Sequence, residues 1–230
     1  MNGELETWLQ DKFATACHFA AQRAPLAGLR IGPTLAEWEE TYLLAAWRDD
    51  LFAINERGIV ESELLWAGEE AGTEERSYRV FSVNPPRLLR ENLCQLATAA
   101  RLIYERGWLK SHIALESGQP EHRASADSFD LLVRPAEGLL IWVEVRRTGV
   151  ELEKLVADLR ACSRRGPHAQ HDCGFPQNHP RYEFCLARRP AYLWVVAPDA
   201  EFCFQVSYEP GSIELEGLPA LPARSMLELG

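Results

Sequence analysis

The sequence predicts an α/β fold with a helical N-terminal region, and three observations predict it. The stretch 139–146, Leu-Leu-Ile-Trp-Val-Glu-Val-Arg, is an almost continuous apolar run, the signature of a central strand covered on both faces. Segments with helical apolar periodicity flank it at 84–107 and 150–162. Between and after them the order is helix, strand, strand, strand, helix, strand, closed by a C-terminal hairpin. The 230-residue chain is long enough to bury a substantial core.

Taken in order, residues 4–24 predict an amphipathic helix, because Leu5, Trp8, Leu9, Phe13, Ala16 and Ala20 recur at three- and four-residue steps. Pro25 and Gly28 end it. Thr34-Leu35-Ala36-Glu37 has the form of a capping box, in which the Thr oxygen accepts a backbone N–H and the Glu reaches back. It predicts a second helix running to about residue 56 and closed by Gly58. Segments 59–67 and 76–83 predict a hairpin around a mobile acidic loop. Asn84-Pro85-Pro86 predicts a helix start, with Asn as cap and Pro in the first turn. Strands follow at 108–117, 128–134 and 139–146, separated by a polar loop at 118–126 and a turn at 135–138. Leu152, Leu155, Val156 and Leu159 give the helix at 150–162 its buried stripe. Residues 163–189 predict a loop-rich insertion, 191–197 a further buried strand, and 201–208 with 212–215 the hairpin around Glu209-Pro210-Gly211. The chain therefore divides into a helical region plus hairpin at 1–83, an α/β core at 84–218, and a loose tail at 219–230.

Composition bounds the function classes. No apolar run reaches the roughly 18 residues a membrane helix needs, and the acidic N-terminus has no signal-peptide pattern, so a cytoplasmic protein is expected. The six Cys then suit core thiols or metal ligands better than disulfides. A net charge of −10 argues against a general nucleic-acid coat protein. The charge is uneven: residues 1–83 hold 15 acids against 7 bases, whereas residues 144–190 hold 9 bases against 6 acids. The acidic N-terminal region is a candidate surface for a protein partner or for dimerisation. No phosphate-cradling Gly-rich loop and no Ser-centred elbow occurs, and Cys94 has no obvious base beside it.

Two acids stand out. Asp130 lies in an apolar strand, and Glu144 near the end of the most apolar strand. Buried carboxylates are costly unless paired or bound to a cation. Strand alternation turns Trp142, Glu144 and Arg146 to one face. If the two strands form a hairpin, Asp130 lies beside Glu144, and the pair makes a hard-oxygen site suited to Mg²⁺ or Mn²⁺. The alternative is a buried ion pair of Arg146 with Asp130 or Glu144.

Asp130, thirteen intervening residues and then Glu144-Val145-Arg146, inside this order of elements, resembles the PD-(D/E)xK (restriction endonuclease-like) nuclease superfamily over about 115 residues. The resemblance implies a restriction endonuclease-like core and metal-dependent hydrolysis of DNA phosphodiesters, in repair or defence. It gives Asp130 and Glu144 metal-ligand roles and Arg146 the role of stabilising the scissile phosphate. Some members add an acid from the first helix, for which Glu91 is the candidate and Glu105 a weaker one. Arg146 departs from the usual Lys: its planar guanidinium cannot be deprotonated. That departure opens a second expectation, a catalytically inactive nuclease-like module that binds nucleic acid or protein.

A separate cluster concentrates Cys162, His168, His171, Cys173, His179 and Cys185 within 24 residues. Four such ligands suffice for a structural Zn²⁺, although the spacing matches no common finger. His179-Pro180-Arg181-Tyr182 with Arg188-Arg189 offers instead a phosphate-tracking loop, with Tyr182 or Phe175 stacking on a base.

Overall fold

The computed structural model describes residues 3–20, 35–66, 78–116, 129–135 and 140–227. The expected loops at 68–75 and 118–126, and Thr34 of the capping box, lie outside the described residues.

Helix α1 (Gly3–Phe19) buries Leu5, Leu9, Phe13 and Ala16 of the predicted stripe and adds Cys17, while Trp8 is half-buried and Ala20 exposed. Helix α2 (Glu37–Arg48) starts at a different box from the one expected: Ala36 is the cap residue, and Glu39, not Glu37, accepts its backbone N–H at 2.8 Å. It also stops early. Asp50 adopts a left-handed conformation, Leu51 N bonds back to Ala46 O at 2.9 Å, and Leu51 and Phe52 turn into the core. Strands β1 (Ala53–Ile54) and β2 (Val60–Glu61) then pair with each other. Gly58 serves the turn between them rather than a helix end.

The expected 59–67/76–83 hairpin gives way to three separate pairings. Among the described residues, its two halves meet at the bridge Ile59–Arg79. Strand β3 (Leu65–Trp66) leaves to run parallel to the edge of the main sheet, and β4 (Phe81–Val83) pairs with β5 (Pro86–Leu88). Asn84-Pro85-Pro86 therefore begins no helix. Proline's fixed φ suits a tight turn as well as a first helical turn, and here Leu89 N bonds to Val80 O at 2.7 Å and keeps the chain in the hairpin. Helix α3 begins only at Arg90 (Arg90–Tyr104).

The main sheet is built from β6 (Ile113–Glu116), β7 (Leu131–Val133), β8 (Ile141–Val145), β9 (Tyr192–Ala197), β10 (Ala200–Glu209) and β11 (Ser212–Leu218), with β3 beyond β6. A single 3₁₀ turn, Lys110–His112, occupies the start of the expected 108–117 strand. The spatial order is β11-β10-β9-β8-β7-β6-β3. β6, β7 and β8 form an antiparallel meander; β9 lies parallel to β8; β10 and β11 turn back antiparallel. Helix α4 (Gly149–Arg165) makes the β8-to-β9 crossover, followed by α5 (His179–Arg188), a helix inside the segment expected to be loop. The missed signal is Pro180 in a first turn, followed by Tyr182 and Cys185 at helical spacing.

Strand β8 is buried along its whole length. Leu131, Val133, Ile141, Val143 and Val145 face a core shared with α1, α2 and α3, while Leu132, Trp142, Leu193 and Val195 face Leu152, Leu155, Leu159 and Tyr182 of α4 and α5. The sheet is thus sandwiched between two helical layers. The first core runs without a break from Leu5 across position 83 to Leu221. The tail is not loose over its described part: Arg106 donates to Leu221 O at 3.2 Å, Arg224 N donates to Arg106 O, and α6 (Arg224–Leu227) follows.

Candidate functional site

Register brings the two carboxylates together. Leu131 pairs with Val143, so the next step of the ladder sets Asp130 opposite Glu144 at the open end of β7 and β8. Both acids are buried, at 2% and 0% exposure. Each meets a different helical layer. Asp130 Oδ1 accepts from Gln95 Nε2 of α3 at 2.7 Å, and Oδ2 accepts from Val145 N at 2.6 Å and Arg146 Nη1 at 3.2 Å. Glu144 Oε1 accepts from Trp142 Nε1 at 3.1 Å, and Oε2 accepts from Arg146 Nη2 and Arg181 Nε, each at 2.7 Å.

Arg146 is the hinge of the cluster. Its backbone continues the strand by donating to Val196 O at 2.8 Å, and its fork spans both carboxylates. Glu91, in the first turn of α3, stands 3.9 Å from the same guanidinium. Burial alone would raise the Glu144 pKa, but Arg181 and Arg146 hold it below the usual carboxylate range. Burial would lower that of Arg146, yet Glu144, Asp130 and Glu91 push it further up. Glu105 is not brought here. It caps the far end of α3, where it accepts from Tyr42 Oη at 2.6 Å and pairs with Arg101.

Two participants were not assigned to this cluster from the sequence. Gln95 lies one helical turn after Glu91, and its own oxygen accepts from Tyr78 Oη at 2.6 Å; an amide in an apolar helical stripe was the available signal. Arg181, a candidate phosphate contact by sequence, serves Glu144 from α5 instead. Tyr182 cannot stack on a base: it is buried and donates to Gly211 O at 2.6 Å.

The donor set does not fit Mg²⁺ as it stands. Every carboxylate oxygen of Asp130 and Glu144 already accepts a bond from a protein donor, and two guanidinium groups balance their charge. A cation would have to displace one of them. What the arrangement does chemically is tie β7, β8, α3 and α5 together through one charged polar network.

The Cys/His segment behaves differently. Cys162, His168, Cys173 and His179 converge, with one potential ligand atom from each lying within 4.8 Å of all the others. Among the described residues no other group of three or more His, Cys, Asp and Glu side chains does so. This set could hold a metal such as zinc. His171 and Cys185, also candidates from the sequence, fall outside it. The His171 side chain is 83% exposed beside Asp172, and Cys185 is a core thiol 3.5 Å from Tyr208 Oη. Within the cluster, burial pushes the Cys162 thiol up to about 12. Cys173 is held below its ordinary value, because contacts from His168, the Phe175 amide and Cys162 outweigh its burial.

No helix among the described residues is long and apolar enough to cross a membrane. Compared with family models, curated proteins and solved structures, the chain matches none.

Proposed function

We propose that this chain is a nuclease-like module of the restriction endonuclease-like type that binds nucleic acid without hydrolysing it. The observation that carries the proposal is the saturation of Asp130 and Glu144 by Gln95, Trp142, Val145, Arg146 and Arg181. A guanidinium stands between the two acids where a nuclease of this type would need a metal. The fold assignment is supported by the sequence of α3, the β6–β8 meander, α4 and a parallel β9. The partner class follows from charge: Arg164, Arg165, Arg188 and Arg189 are exposed on α4 and at the end of α5, on a chain that is otherwise acidic. Contacts of this kind meet phosphates and carry no base specificity.

The test is a pair of assays on the whole chain. Binding to single- and double-stranded DNA is expected to weaken steeply with salt, and to weaken further in Arg164→Glu and Arg188→Glu. No cleavage is expected with Mg²⁺ or Mn²⁺. Absence of DNA binding at low salt would sink the proposal. A second reading, metal-dependent hydrolysis, is favoured by the approach of Glu91 to the same cation position. Cleavage that Asp130→Ala and Glu144→Ala both abolish would establish it instead.

A further inference from the structure

We propose that Cys162, His168, Cys173 and His179 form a closed zinc site whose bound ion fixes α5 and so holds Arg181 on Glu144. This does not depend on the nuclease-like proposal, since the four ligands are separate from the carboxylate cluster.

The donors come from four pieces of chain. Cys162 lies in the last turn of α4, His168 in the following loop, Cys173 just after the 3₁₀ turn Gln170–Asp172, and His179 opens α5. Tetrahedral zinc with sulfur at about 2.3 Å and nitrogen at about 2.0–2.1 Å sets its ligand atoms roughly 3.3–3.8 Å apart. The two thiols are 3.3 Å apart, too far for a disulfide and about half an ångström inside the sulfur–sulfur edge of such a site. The His168 and His179 rings lie 4.6 Å apart between centroids.

The nitrogens point to a ligand independently of this proximity. His168 Nδ1 lies 2.6 Å from Gly166 O. A carbonyl only accepts, so Nδ1 carries the proton and Nε2 is left with its lone pair. That Nε2 is buried without a geometric hydrogen-bond partner, and the ring's interaction with Cys173 joins two members of the same four-residue set. His179 is 0% exposed, and neither of its ring nitrogens has a hydrogen-bond partner. Glu183 Oε1 stands 3.4 Å from its Nε2, as an outer carboxylate orienting a ligating imidazole does. Buried polar atoms without partners are costly, and a metal removes the cost at both rings. The Phe175 amide donates to Cys173 Sγ at 3.4 Å, a contact that favours a thiolate. Two sulfurs and two imidazoles, three of the four side chains buried, are a donor set that selects zinc, and four protein ligands leave no open position, so the ion is structural.

The consequence lies one step along α5. Arg181 follows His179 by two residues and meets Glu144 at 2.7 Å. Little apolar packing anchors the loop between α4 and α5, where Cys173 is buried and Phe175 partly buried among residues 166–178. The ion clamps this loop and sets the first turn of α5.

The intact chain, purified without chelator under reducing conditions, is expected to carry one zinc per molecule by elemental analysis. Cobalt substitution is expected to give the visible d–d bands of tetrahedral Co²⁺ with sulfur-to-metal charge transfer. Cys173→Ser and His179→Ala are expected to lose the metal, while His171→Ala and Cys185→Ala keep it. Where a ligand variant fails to fold, the cobalt spectrum of the parent chain decides. A parent chain that takes up neither zinc nor cobalt, or equal metal loss in His171→Ala, overturns the site. Chelation is expected to lower the Tm of the parent more than that of Arg181→Ala; equal falls would overturn the link to Arg181.

Discussion

Arg146 decides what the carboxylate cluster can be. A lysine there would present a single ammonium on a flexible stem, whereas the guanidinium reaches Asp130 and Glu144 at once and is drawn toward Glu91 as well. Removing one partner of a buried ion pair leaves the other uncompensated, which costs about 3–5 kcal/mol. Arg146→Met is therefore expected to destabilise the chain by about that amount, read as a shift in urea midpoint at unchanged slope. Arg146→Lys is expected to cost less, because a positive charge stays. The same logic applies at a second buried pair, Glu39 with Arg90. Glu39 also accepts the Ala36 backbone N–H, so Glu39→Ala removes a cap and strands a buried guanidinium together. Its cost is expected to be at least as large as that of Arg146→Met, by the same urea measurement. The acids were legible in the sequence because a charge in an apolar run demands a partner. Arg146 was legible as their counter-ion, and both pairs form; Arg181 was not, since it is 37 residues from Glu144 in the chain.

At the scale of elements, local patterns were read well where near neighbours in sequence decide the outcome. The α1 stripe, the buried β8 and the 209–211 turn depend on spacing or on Gly211, whose φ is +75°. Local patterns do not suffice where one signal serves two structures. Asn84-Pro85-Pro86 fits a helix start and a hairpin turn equally, and only pairing with Phe81–Val83 chooses between them. Gly58 fits a helix end and a turn, and the early closure of α2 at Asp50 chooses the turn. Gly58 has φ +74°, and a Cβ there would come within 2.6 Å of the Phe81 ring. Gly58→Ala is thus expected to cost about 1 kcal/mol or more, from left-handed backbone strain with added steric conflict. Thermal unfolding by circular dichroism would show it, and an unchanged Tm would mean the turn reorganises freely.

For the whole molecule, the central sheet separates two cores that share its strands. Leu96 of α3 is buried on one face and Leu159 of α4 on the other. Each Leu→Ala change is expected to cost about 2–5 kcal/mol. The two should add to within about 0.5 kcal/mol because their contacts do not overlap. They should still unfold in one transition, with tryptophan fluorescence and circular dichroism coincident. Two separate transitions would show that the faces fold as independent units.

The sequence alone determined the α/β class, the central position of β8, the flanking helices and the two chemical neighbourhoods at 130–146 and 162–185. These follow from periodicity and from residue types whose burial has a cost, both properties of short stretches of chain. Only the tertiary structure decided that Arg181 joins Arg146 on Glu144, that Gln95 reaches Asp130, and that His168 and His179 join Cys162 and Cys173 while His171 and Cys185 do not. Those outcomes depend on the register of β7 against β8 and on how α4 and α5 return to the sheet. They are distances between segments remote in sequence, which no local pattern carries.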